Sequence, residues 1–129
     1  MKNRIALILV AAVVLVMALS ACGAVKGLSA VNDTGEAFMA AMRDGDATTS
    51  WNMLTTAVQD EVGSEEGWVE FITPRNFSEW KFTNTQIEND VAQIDGTATL
   101  GEDTYDIVLV FDLVDNVWMV SGINITFKE

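Results

Sequence analysis

The sequence predicts an α+β domain, with N-terminal helices packed on one face of a four-stranded antiparallel sheet. Apolar residues recur at helical spacing as far as Pro74 and at a period of two after it. The connections between the later segments are short, which makes neighbouring strands antiparallel. Helices in one block followed by strands in another is the order of an α+β domain.

Asp33-Thr34-Gly35-Glu36 has the form of a capping box, an acid at the cap and Glu three residues on. Phe38, Ala41 and Met42 follow on one helical face, and Gly45 supplies a stop. A second helix is expected over residues 47–59, with Trp51, Leu54 and Val58 on one side. Ser64 caps a third, in which Trp68, Phe71 and Ile72 share a face and Pro74 ends the run. Trp80 and Phe82 then alternate with Lys81 and Thr83 in a first strand. The second spans 91–100, with Asp95-Gly96 as a candidate bulge. Tyr105, Ile107, Leu109, Phe111 and Leu113 form the alternating stripe of the third, whose other side carries Asp106, Val108, Val110 and Asp112. Asp115-Asn116 makes a turn into the last strand, 117–127. Isolated hairpins are marginal, so the helices must cover this sheet.

The first 33 residues are different in kind. Lys2 and Arg4 precede an uncharged apolar run from Ile5 to Ala21, the pattern of an export signal. The run falls short of the roughly 20 residues that cross a bilayer comfortably, so length alone leaves signal and anchor helix open. Cys22, the sole cysteine, decides between them. Leu19-Ser20-Ala21-Cys22 resembles the lipobox of bacterial lipoproteins, in which the thiol receives a diacylglyceryl group and the chain is cut just before it. The expected organisation is a signal peptide over 1–21, a lipidated tether over 22–33 rich in Gly, Ala and Ser, and a domain over 34–129. The expected location is the bacterial cell envelope, outside the cytoplasm. Acyl burial contributes about 0.8 kcal/mol per methylene, so the lipid on Cys22 is the expected membrane partner. The three Asn-x-Ser/Thr sequons, at Asn32, Asn76 and Asn124, carry no meaning in such a protein.

Charge and composition narrow the chemistry. The chain has 19 acidic residues against seven basic ones, a net charge of −12. Loss of Lys2 and Arg4 with the signal makes the domain more acidic still. Such a surface repels phosphate backbones and anionic headgroups, which excludes nucleic acid and a basic membrane face. The sequence contains no histidine, which removes the commonest base near neutral pH and the commonest transition-metal ligand. With Cys22 lipidated, thiol chemistry, Cys/His zinc sites and histidine-based triads are excluded, and no cofactor is expected. Asp106 and Asp112 share a strand face about 20 Å apart, too far for a carboxylate dyad. Glu102, Asp103 and Asp106 cluster at a turn without EF-hand spacing and read as a solvated hairpin tip.

Residues 38–46 (FMAAMRDGD) with Trp51 and Leu54 resemble the helical opening of the nuclear transport factor two-like, or cystatin-like, superfamily. Residues 116–123, where Trp118 and Val120 precede Gly122-Ile123, resemble the final strand of its bacterial lipoprotein members. The resemblance spans roughly residues 34–126 and implies that the sheet curls around the helices into a cone. The open end of such a cone can hold a small apolar ligand. Some members are ketosteroid isomerases or dehydratases that use Asp, His or Tyr; this chain has one tyrosine, Tyr105, and no catalytic aspartate maps onto it.

Trp51, Trp68, Trp80, Phe82, Tyr105 and Trp118 are the candidate lining of that cone, or else a packed core. Two function classes follow. One is a non-catalytic binding or interaction module, monomeric or weakly dimeric, for an apolar small molecule or a partner protein. The other is a hydrolase or isomerase that relies on carboxylates and Tyr105. The missing histidine and the lack of a close acidic pair favour the first. For the anchor, Cys22→Ala should abolish incorporation of labelled palmitate and leave the precursor uncut; continued labelling would show that the lipid lies elsewhere.

Overall fold

The computed structural model describes residues 27–129, so the expected signal peptide and Cys22 lie outside the described residues. No helix among the described residues is long and apolar enough to cross a membrane. The elements are α1 (27–44), α2 (Ala47–Asn52), α3 (Thr56–Val62), α4 (Glu65–Ile72) with a 3-10 turn at Thr73–Arg75, then β1 (Glu79–Glu88), β2 (Val91–Leu100), β3 (Asp103–Val114) and β4 (Val117–Lys128). The strands form one antiparallel sheet in the order β1-β2-β3-β4, and the helices pack against it.

The expected capping box does not start the first helix. Residues 27–33, read from sequence as tether, are already helical, and Asp33 to Glu36 lie in mid-helix. Tertiary contacts override the local signal. Val31 is fully buried along with Phe38, Met39 and Met42. Asn32 accepts a hydrogen bond from the Thr85 hydroxyl at 2.8 Å, and Glu36 accepts one from the Trp80 indole at 2.7 Å. Gly35 lets the helix press onto the sheet: a Cβ there would lie 2.8 Å from Ile94 Cδ1 and 3.1 Å from Phe82 Cε2. The stop at Gly45 is as expected, with φ at +69°.

The expected second helix is two helices. Asp46 caps α2 by accepting from the Thr49 backbone N–H, and Thr55 caps α3 through Val58 N–H. Between them the backbone turns outward to meet the sheet. Val120 N–H donates to Met53 O at 2.7 Å and Thr55 N–H donates to Val120 O at 2.9 Å, a parallel bridge that fastens the helical layer to the edge of β4. Leu54 is buried at this clasp. Ser64 caps α4 as expected, and Trp68 and Ile72 are buried beneath it.

Three two-residue turns join the strands. Asp115 and Asn116 both have positive φ, 50° and 64°, the backbone that tight hairpins require and that Asn and Asp tolerate. The central strands run straight through the register, and each edge strand carries one bulge. In β1 the extra residue is Thr83, so the inward set changes from Trp80 and Phe82 to Thr85 and Ile87. In β4 it is Ser121, and the inward set changes from Trp118 and Val120 to Ile123, Ile125 and Phe127. Asp95-Gly96, the candidate bulge, lies directly across from the β1 bulge instead of forming one. A Cβ on Gly96 would collide with the Lys81 carbonyl oxygen across this pairing. Gly96→Ala should therefore destabilise the protein by about 1–3 kcal/mol, the usual cost of overpacking. Urea unfolding measures this, and a change below about 0.5 kcal/mol would show that the strands do not approach so closely there.

Candidate functional site

The space between helices and sheet is filled by side chains. Phe38, Trp68, Phe77 and Phe111 are each no more than 1% exposed and meet Met39, Met42, Leu54 and Val120 in one continuous core. Trp68 stacks on Phe71 with ring centroids 5.2 Å apart and sits 6.0 Å from Phe38. Its indole N–H donates to the Ser50 hydroxyl at 2.7 Å, and that hydroxyl in turn donates to the backbone carbonyl of Asp46, the cap of α2, at 2.9 Å. This chain satisfies the buried polar groups without water.

The six aromatic residues proposed from sequence are not gathered around one cavity. Trp68 is core. Trp51 and Trp118 are half-buried and pack against the core from its margins. Trp80 and Phe82 line a shallow polar groove between α1 and β1, together with Asn32, Glu36, Thr83 and Thr85. Arg43 covers the Trp80 ring at 5.4 Å, so part of this groove is closed by the protein itself. Tyr105 lines a second, more enclosed cleft.

That cleft, about 260 Å³ in volume, lies where the 3-10 turn meets the ends of β2, β3 and β4. Pro74, Arg75, Phe77, Leu100, Tyr105 and Ile125 line it. The Tyr105 ring stands edge-on between Phe77 and Phe127, each 5.6 Å away. Ile125 faces the cleft because the Ser121 bulge has reversed the parity of β4. Arg75 is held by its own helix: its Nη1 donates to Phe71 O at 2.7 Å, and the guanidinium lies over the Phe71 ring at 4.1 Å. Sequence reasoning missed Arg75. The available signal was a base three residues beyond a helix end, in a chain with few bases. No carboxylate is among the cleft-lining residues. Asp106 and Asp112 lie on the outer side of β3, where Asp106 approaches Lys128 at 4.0 Å. Elsewhere the Arg43 guanidinium, bonded to Asp44 at 2.9 Å, holds that carboxyl below the usual range and is itself raised by it.

Neither a protein-family model nor a curated protein matches the chain. Solved structures do. An NTF2-like protein of unknown function from Silicibacter pomeroyi matches with a TM-score of 0.63 at 13% identity, over 81% of this chain and 98% of that one. A dehydratase candidate of the NTF2-like family from Streptomyces avermitilis matches with a TM-score of 0.61, also at 13% identity, over 81% and 97%. A DUF4783 family protein from Bacteroides uniformis gives 0.56, again at 13% identity, over 73% and 96%. Residues 27–129 thus have the NTF2-like fold, as the helical opening and the final strand led one to expect. The particular domain is one whose fold-mates include proteins of unknown function, and at this identity the likeness fixes architecture alone.

Among the described residues the Tyr105 hydroxyl has no protein partner, while its ring is packed on two sides. Tyr105→Phe should therefore change stability by no more than about 0.5 kcal/mol. Thermal or urea unfolding checks this, and a loss above about 1 kcal/mol would reveal a hydrogen bond to that oxygen.

Proposed function

We propose that this protein is a non-catalytic binding module, tethered by a lipid on Cys22 to the outside of a bacterial membrane. The observation that carries the reading is the filled interior. Phe38, Trp68, Phe77 and Phe111 occupy the space in which a reaction chamber would have to lie, which leaves recognition to the cleft beside Tyr105 and to the outer surface.

The reading is supported by the character of the cleft wall. General acid–base chemistry needs two groups of suitable pKa within reach of one substrate. Here the only tyrosine of the sequence faces apolar side chains and an arginine; Asp106 and Asp112 lie on the opposite face of β3, and Asp103, on its own face, is exposed and not among the cleft-lining residues. An arginine stays protonated near neutral pH and serves to orient, not to exchange protons. The Streptomyces avermitilis protein shares the fold, but fold alone transfers no chemistry. The anchor rests on the apolar run of residues 5–21 and on Leu19-Ser20-Ala21-Cys22. An acidic body with net charge −12 would stand away from anionic headgroups, so lipid is the natural attachment.

Mass spectrometry of the protein purified from its native membrane tests the reading. It should find the diacylglyceryl modification on Cys22 together with a stoichiometric small molecule or protein. Turnover of a small-molecule library by the pure protein, with activity lost in Tyr105→Phe, would instead favour an isomerase or hydrolase.

A further inference from the structure

The basic residues of the described chain are not equivalent. Arg43 is exposed and paired with Asp44, Lys128 is exposed and within 4.0 Å of Asp106, and Lys81 is exposed on β1. Arg75 alone among them is half-buried, and among the described residues no carboxylate lies within salt-bridge distance of its guanidinium. Among the described bases, two have no carboxylate within salt-bridge distance, exposed Lys81 and Arg75, and of these Arg75 is the one shielded from water. Removing a guanidinium from water is unfavourable unless its donors and charge are met. One donor is met by Phe71 O and one face by the Phe71 ring. Those contacts fix the planar group on the rim of the cleft and leave the rest of its five-donor fork unassigned.

The other lining residues are Pro74, Phe77, Leu100, Tyr105 and Ile125, so apolar side chains stand beside the guanidinium in a cleft whose open surface is of mixed polarity. A mixed cleft with one oriented cation selects a molecule with a small apolar body and an anionic end. At about 260 Å³ the cleft is smaller than the roughly 300–1,000 Å³ typical of drug-sized sites, so the ligand, or the part of it that enters, is small. Glu102 and Asp103 lie at the turn next to Leu100, but they are exposed and neither is within salt-bridge distance of Arg75.

Resting on the reading of the domain as a binding module, we infer that the cleft is a site for a small apolar monocarboxylate, with Arg75 receiving the carboxylate and Pro74, Leu100, Tyr105 and Ile125 the hydrocarbon. A guanidinium takes a carboxylate through two parallel N–H bonds, which a neutral alcohol cannot accept. The Tyr105 hydroxyl is the second donor on the wall.

The test uses the single tyrosine of the sequence as a reporter. The full chain is labelled with 3-fluorotyrosine, placed in neutral phosphatidylcholine nanodiscs, and titrated with hexanoate, 1-hexanol and hexylamine while one fluorine resonance is followed. Hexanoate should shift it at a concentration about tenfold lower than hexanol, the equivalent of one charge-assisted hydrogen bond, and hexylamine should be weakest. Arg75→Gln should remove the advantage of hexanoate over hexanol, and Arg75→Lys should restore part of it. The comparison of the three probes on the unaltered protein stands even if a variant misfolds. Equal response to hexanoate and hexanol would overturn the anion preference while leaving an apolar binding cleft. No response to any probe would overturn the site, and the search for a native ligand or partner would then decide the binding reading by itself.

Discussion

A strand shows only every second side chain to a given face, and both edge strands of this sheet change which half they show part-way along. Without Thr83 as an extra residue, Ile87 would point to solvent once Trp80 and Phe82 had been placed inside. Without Ser121, Ile123 and Ile125 would do the same after Trp118 and Val120. Each edge strand therefore writes its apolar residues first at even positions and then at odd ones, and the bulge reconciles the two halves. A bulge also bends its strand and strengthens the local twist. The uninterrupted inner strands put small residues, Ala92, Gly96 and Ala98, along the inner face of β2, where the first helix comes closest through Gly35. The seating of that helix, the clasp at Val120 and the orientation of Ile125 into the cleft all follow from where the two extra residues fall.

The same arrangement separates a dry interior from the places where another molecule can be met. Large aromatic side chains fill the middle of the domain, and the one tryptophan donor enclosed there is satisfied by Ser50. Two openings lie where the layers end: beside β1, where Arg43 covers Trp80, and beside the ends of β2 to β4, where Arg75 lies next to apolar side chains. Recognition at such margins relies on groups held by their own element. Arg75 is one, fixed by the carbonyl and the ring of Phe71, so a ligand meeting it would not need to order a free side chain first.

Much of this fold was readable before any coordinates, because periodicity and turn chemistry act locally. The change of period at Pro74, the cap at Ser64, the stop at Gly45 and the Asp115-Asn116 turn each depend on neighbouring residues alone. The misreadings share a different cause. Asp33 to Glu36 has the form of a helix start, yet burial of Val31 and the bond from Thr85 to Asn32 keep residues 27–33 helical. Residues 47–59 carry a helical pattern throughout, yet Val120 draws Met53 to Thr55 out of it. Asp95-Gly96 marked the right level of the sheet and the wrong strand, since the glycine makes room for its neighbour's bulge. The candidate site was the least legible part. Aromatic residues announce a core and a pocket with the same letters, and Arg75 gains its significance only from Leu100, Tyr105 and Ile125, distant in sequence.

The clasp and the seating of the first helix have a consequence for synthesis. The residues that cover α1 are all late in the chain: Trp80 comes 44 residues after Glu36, and Thr85 comes 53 after Asn32. A ribosome adds about 5–20 residues per second, so the apolar stripe of Val31, Phe38 and Met42 waits seconds for its cover. The three hairpins, each closed by two residues, need no such wait and form in microseconds once made. In a chain exported as proposed, that wait lasts until the strands too have crossed the membrane, and in the interval the stripe is what a chaperone would hold.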